Sequence, residues 1–272
     1  MPSPGLTSTW GLQEWADYVL DHLSRESVLL RSGAHRVNVI GRVAHLPRVL
    51  SDGAVSWVEE LVEIPSSAPN ADELVLIPKK LANVVTVSNE AAGDSTVGVL
   101  DNVGAAMTRA VALALDATAL ASTAATAARP AGIRSLALPA QTGGVTIDNV
   151  IRAIGTIAAA GGIADAVYLA PADLSSIRLA KDSSSRPLLQ PDLQANGAER
   201  IAGAILYPTP ALPAGTALVA DAAQIVVGVR NDATVDFSAD VKFTSDAVVA
   251  RVVTRVDFGV NDIAGLVVVT TP

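Results

Sequence analysis

The first residues to test for catalysis are the three histidines, His22, His35 and His45. None stands in an HExxH pair that could hold zinc, and none has a Ser or Asp partner at a spacing that builds a nucleophile. The chain has no cysteine, which removes thiolate nucleophiles, disulfides and cysteine metal sites. Phosphate chemistry of the P-loop kind needs a glycine loop ending in Lys-Ser or Lys-Thr. Gly143-Gly144 and Gly161-Gly162 lack that ending and read as a linker and a helix stop. Glu59, Glu60 and Glu63 remain. In a strand-like run Glu59 and Glu63 share one face and Glu60 points to the other. A general acid/base pair is one use for them; a solvated or subunit-facing hairpin is the better one. Asp165, Asp173 and Asp182 suit loop ends and a first helical turn, where a carboxylate satisfies backbone N–H groups. Arg251, Arg255 and Asp257 alternate with apolar residues, as the solvent face of a half-buried sheet does, or a charged face turned to a neighbouring subunit. The chain is therefore expected to be no enzyme, with no cofactor and no metal.

The elements around these residues point to architecture instead. The 272 residues suffice for one large domain or two modest ones. Half are apolar but only 3% aromatic, so small Ala and Val side chains must fill the core. A formal charge of -8 argues against a protein that wraps or reads nucleic acid. It suits a wall to which DNA must not stick. The N-terminus lacks the pattern of a secretory signal. The most apolar stretch, 105–128, is broken by Arg109 and Asp116 and reads as a buried helix rather than a membrane span. A soluble chain of intracellular origin is expected.

Leu12, Trp15, Val19 and Leu23 fall at helical spacing in an N-terminal arm over 1–35. That helix docks on its own domain or lies on a neighbour. Residues 36–50 read as strand. SDGAVSWVEELVEIP and ELVLIPKKLANVVTV then form two extended runs with a polar tip, SSAPNADE, between them. Such a hairpin is marginal alone and needs a partner surface. From a cap at Asp94 or Ser95, a helix runs to about Ala128, about 50 Å long, and Arg129-Pro130 stops it. Thr146 caps a second helix striped by Ile147, Val150, Ile151, Ile154 and Ile157. Strands near 166–170, 204–207, 217–220 and 225–229 and a helix at 172–181 make an α/β unit. Residues 233–237 and 246–269 return as strands.

Several motifs in this order resemble the major capsid protein family of tailed bacteriophages, with its Hong Kong 97-type fold. The residues carrying the resemblance are Trp57, Glu59 and Glu60; Ile77-Pro78-Lys79-Lys80-Leu81 with Ser88, Glu90, Asp94 and Ser95; Pro130 to Ile133; Leu169 to Leu189; and Phe243 to Val260. The resemblance covers about residues 25–270. It implies an α+β fold: N-arm 1–35; peripheral domain 36–140 with an E-loop hairpin at 51–80 and a spine helix at 94–128; axial domain 141–232; and last peripheral strands at 233–272. It implies a homo-oligomer of pentamers and hexamers tiling an icosahedral head around double-stranded DNA, contacted non-specifically, in a virion assembled in the host cytoplasm. A portal protein and a decoration protein are implied partners, and Met1 favours a separate scaffolding protein; no membrane is involved. Trp15, Trp57, Glu59, Glu60, Glu63, Lys79, Lys80, Arg186, Arg251, Arg255 and Asp257 are the expected subunit contacts. Lys79 and Lys80 are the nearest lysines for an isopeptide crosslink, but no Asn counterpart is found near Thr244, so cohesion is expected to be noncovalent. The alternatives are an encapsulin shell of the same fold enclosing a cargo enzyme, a hydrolase using the hairpin acids, and an adhesin or surface-layer protein.

Overall fold

The computed structural model describes residues 26–271 except 52, 54, 64, 65, 67, 69, 91–98, 182, 183, 185, 187 and 189–198. Trp15 and the helical stripe of the arm lie outside the described residues. Of the arm, helix α1 (Val28–Arg31) is seen, with Ser27 capping it through its side chain.

Three sheets organise the chain. A four-stranded sheet has the order β1 (His35–Asn38), β10 (Ile225–Lys242), β11 (Ala247–Val260), β4 (Lys79–Ser88). A six-stranded sheet has the order β5 (Ala140–Thr142), β12 (Leu266–Thr270), β9 (Thr216–Ala220), β6 (Ala166–Leu169), β8 (Ala204–Pro208), β7 (Arg200–Ile201). A separate antiparallel ribbon joins β2 (Ala44–Ser51) to β3 (Asn70–Leu76).

Strand β6 shows why the six-stranded sheet needs cover on both faces. Its four residues are all buried, and alternate side chains point to opposite sides. Val167 and Leu169 pack with Val150, Ala153 and Ile157 of helix α3 (Ile147–Ala159) and with Leu174 and Ile177 of helix α4 (Pro171–Leu179). Ala166 and Tyr168 enter a second core with Leu29, Leu115, Leu120, Val227 and Val256. That second core joins the two large sheets. Thr146 caps α3 as its sequence predicts, accepting from the Asn149 N–H.

Helix α2 (Val99–Ala119) lays Met107, Val111 and Ala112 on Ala250 and Val252 of β11. Its 21 residues span about 32 Å. The sequence predicts a helix to Ala128, and the structure ends it nine residues earlier. Alanine propensity favours continuation, but tertiary packing prevails. The chain folds back so that the Gly132 N–H donates to the Thr123 carbonyl, and Arg134 Nη1 reaches the Leu120 carbonyl.

The extended runs also differ from expectation. Residues 55–59 form no strand, and a turn follows at Glu60 and Leu61, closed by the Val62 N–H on the Glu59 carbonyl. Their alternation has no partner, because β3 begins only at Asn70 and pairs with β2. The run Glu73–Val87 breaks at Ile77-Pro78, where the Ile77 N–H leaves the ladder for Asp257 Oδ2 at 2.6 Å. β3 and β4 thereby enter different sheets. β12 joins β5 and β9 in the six-stranded sheet, while β10 and β11 belong to the four-stranded one. The sheet boundary thus crosses the expected division at 232/233.

Candidate subunit-interaction surface

The ribbon β2–β3 holds two chemically opposite features apart. Its base sits on the four-stranded sheet: Leu76 is fully buried, and Leu74 and Leu76 press where only hydrogen stands on Gly228 and Gly259. Any side chain at either glycine would collide with these leucines. Arg48 Nη1 donates to the Val260 carbonyl at 3.2 Å and Nη2 to Asp72 Oδ2 at 2.6 Å. That guanidinium holds the Asp72 carboxyl below its ordinary range. His45 Nδ1 lies 2.9 Å from Glu73 Oε2. Register runs from Ala44 opposite Leu76 at the base to Ser51 opposite Asn70 at the far end. Seven residue steps along β2 make that distance about 23 Å.

Beyond the far end lie Val55, Trp57 and Leu61, which are 98%, 104% and 101% exposed. Glu59, Glu60 and Glu63 are exposed between and beside them. Because residues 55–59 are not a strand, Glu59 and Glu63 do not share the strand face that their spacing predicts. Leu61 adopts a left-handed backbone at φ 67°, uncommon for a residue other than glycine, and its side chain is exposed.

At the base, where β3 gives way to β4, a recess of about 360 Å³ is lined by Arg42, Ile77, Pro78, Lys79, Lys80, Arg230 and Arg255. Five of these seven are cations. Lys80 and Arg255 are cross-strand partners. Among the described residues no carboxylate lies within ion-pair distance of Arg42, Lys80, Arg230 or Arg255. Asp257 stands behind the recess, accepting from the Ile77 and Phe258 N–H groups. Burial pushes its carboxyl above the ordinary range, against those N–H groups and the charge of Lys79. Lys79 and Lys80 also border a second groove, about 230 Å³, with Leu81, Leu115, Pro130, Val256 and Phe258. Leu81, Val256 and Phe258 stand on the face of β4 and β11 that packs against α2, opposite Lys80 and Arg255.

The described residues thus present a protruding apolar and acidic tip and a cationic recess at opposite ends of one ribbon. Among the described residues no group of three or more His, Asp or Glu could hold a metal ion, and no helix is long and apolar enough to cross a membrane. Residues 12–271 match the model of the phage capsid family. The chain belongs to the phage capsid family. Its fold is the Hong Kong 97-type capsid fold. It is similar to a chain from Mycobacterium phage Bobi, with TM-score 0.71, 22% identity and 90% of each chain covered. A chain from Gordonia phage Cozz gives TM-score 0.71 at 18% identity, covering 90% of this chain and 86% of that one. A chain described as the capsid of a native GTA particle, computed with C5 symmetry, gives 0.70 at 17% identity, covering 100% and 95%. No curated protein matches the sequence.

On this capsid chain the residues expected at subunit contacts separate into groups. Trp57, Glu59, Glu60 and Glu63 sit together at the ribbon tip. Lys79, Lys80 and Arg255 meet in the recess, with Asp257 behind them. Arg251 is committed within its own chain, its Nη2 2.9 Å from Asp236 Oδ2 across β10 and β11. Arg186 is exposed in the loop after α4. Sequence reasoning missed Arg42 and Arg230. They lie 188 positions apart, and only the pairing of β1 with β10 brings their segments together.

Proposed function

We propose that the chain assembles as pentamers and hexamers into an icosahedral head enclosing double-stranded DNA, which it contacts non-specifically. The observation that carries this is the ribbon tip. Val55, Trp57 and Leu61 are exposed on a protruding segment that the other described residues leave uncovered, and apolar tips of this kind belong in an interface. The ribbon and its tip serve as the E-loop, and α2 as the spine helix. The four-stranded sheet is the peripheral domain, and the six-stranded sheet with α3 and α4 is the axial domain. The N-terminal segment straps neighbours. The protein is a structural component of the virion, not an enzyme. It is assembled in the host cytoplasm with a scaffolding protein, a portal protein and a decoration protein, and its subunits are held noncovalently.

Electron microscopy of the purified chain, with particle mass, tests this. Icosahedral shells are expected, and DNA in particles recovered from infected cells distinguishes a head from a cargo compartment. A monomer or small ring that forms no shell, even with scaffold supplied, overturns the reading. An isopeptide ladder in denaturing electrophoresis overturns noncovalent cohesion.

A further inference from the structure

We propose that the recess at the ribbon base binds a small, multiply charged phosphate anion, of the chemical class of inorganic polyphosphate. The inference goes beyond the shell reading, and its test does not require particles to form.

Four separate stretches of chain build the recess. Arg42 comes from the connection between β1 and β2, Lys79 and Lys80 from the start of β4, Arg230 from β10 and Arg255 from β11. The backbone brings these cations together at a bulge. Val229 pairs with Val256 and Asn231 with Arg255, so β10 advances two residues where β11 advances one, and Arg230 is the extra residue. A bulge frees its extra residue from the ladder and re-aims its side chain. Here it brings Arg230 into one lining with Arg255. The ladder of β1 ends at the same place, where the Val39 N–H donates to the Val229 carbonyl at 2.8 Å. Arg42 follows three residues later.

The convergence costs stability that an anion restores. Lys80 and Arg255 face each other directly across β4 and β11, and like charges so placed repel. Among the described residues no carboxylate lies within ion-pair distance of Arg42, Lys80, Arg230 or Arg255. Asp257, close by, is engaged by the Ile77 and Phe258 N–H groups and by the charge of Lys79.

The composition of the lining selects the ligand. Three of the five cations are arginines, whose planar fork grips phosphoryl oxygens two at a time. Four uncompensated charges call for an anion of several charges rather than a chloride or a single carboxylate. The recess, about 360 Å³, lies at the small end of ligand pockets. A DNA duplex instead needs an open basic face, and this chain carries a net charge of -8. Arg42 precedes β2 by two residues and Lys79 follows β3 by three. A bound anion therefore ties both strands at the ribbon base to β10 and β11.

The test is isothermal titration calorimetry on the dilute purified chain in about 0.1 M salt, where charges more than about 10 Å apart are screened. Sodium tripolyphosphate is the probe, with orthophosphate and a short DNA duplex for comparison. One tripolyphosphate per chain is expected, bound at least about tenfold more tightly than orthophosphate. At a hundredfold excess over its Kd it should raise the melting midpoint by about 5 °C or more. Arg230→Gln with Arg255→Gln should weaken binding by about tenfold or more. Arg152→Gln with Arg200→Gln, on α3 and β7, removes the same charge elsewhere and should leave affinity within about twofold. A readout on the unmutated chain guards against a variant that fails to fold: tripolyphosphate should slow amide hydrogen exchange in residues 40–43 and 77–80. No binding, orthophosphate bound as tightly as tripolyphosphate, equal affinity in the two double variants, or unchanged exchange in both segments each overturns the site. A duplex that binds more tightly than tripolyphosphate and is lost with the same arginines makes the recess a DNA contact and overturns the small-anion assignment. The shell reading is decided separately, by particle formation.

Discussion

Lys80 on β4 and Arg255 on β11 are direct cross-strand partners, two cations on one face of an antiparallel pair. Like charges in that position destabilise a sheet by a few tenths to about 1 kcal/mol. Lys80→Glu turns the repulsion into attraction, so the isolated chain should gain roughly 0.5–1 kcal/mol in urea unfolding. The same substitution should weaken assembly. A loss of stability on Lys80→Glu would show that the pair is already screened within the monomer.

Trp57 is fully exposed in the single chain. Trp57→Ala should therefore leave thermal stability within about 0.5 kcal/mol of the parent, as surface substitutions do. In a Trp10→Phe, Trp15→Phe background its fluorescence should report solvent exposure in the monomer. On assembly it should shift to the blue and resist acrylamide quenching. Unchanged quenching in assembled particles would remove Trp57 from the interface.

How far the sequence reached depends on the range of the interaction involved. The α3 stripe and its Thr146 cap were legible because cap, stripe and stop lie within sixteen residues of one another. The helix at 172–181 and the strands near 166–170, 204–207 and 217–220 were legible for the same reason, whereas β10 was read as two strands and the division of 246–269 between two sheets was not seen. The end of α2 was not: alanines favour helix, and what stops it is the return of Gly132 and Arg134 onto its last turn. Val55 to Val62 reads as an extended run, but pairing partners run out before it, and no local pattern records that. At the site, the acids and Trp57 stood out as a cluster, whereas the recess did not. Its cations come from four separate stretches of chain, and Lys79, Lys80 and Arg255 were singled out without any sign that they meet Arg42 and Arg230.

Gly132 fixes the fold-back after α2 by close approach. A Cβ there would lie 2.1 Å from the Ala121 carbonyl oxygen and 3.0 Å from that of Thr118. Both obstacles are backbone, so no side-chain rotation relieves them. Gly132→Ala should cost about 3 kcal/mol, the upper part of the range for overpacking. That would lower the melting midpoint by roughly 6–12 °C in a chain of this size. A midpoint within a degree of the parent would mean that the fold-back opens freely.

Asp116 is the buried anchor of the N-terminal segment. Its carboxylate accepts from Ser27 Oγ at 2.6 Å, Val28 N at 2.8 Å and Leu29 N at 3.3 Å, so a residue of α2 caps α1 from outside. Burial nevertheless dominates and raises its affinity for a proton above the ordinary aspartate value of 3.8; the three hydrogen bonds and the charge of Arg31 oppose it. The native chain thus binds this proton more tightly than the unfolded chain does. Its contribution to stability is fully present below about pH 3.8 and is lost as pH rises through the raised value. Side-chain carboxyl NMR should place the Asp116 midpoint above 3.8. Asp116→Asn should remove that pH dependence and, at neutral pH, cost about 1–3 kcal/mol, because an amide nitrogen cannot accept from both backbone N–H groups. Proteolysis should then cut sooner near α1, since Ser27 still caps it but the second cap from Asp116 is weakened. A midpoint at or below 3.8 would mean that the three donors outweigh burial and that acid, not base, loosens the anchor.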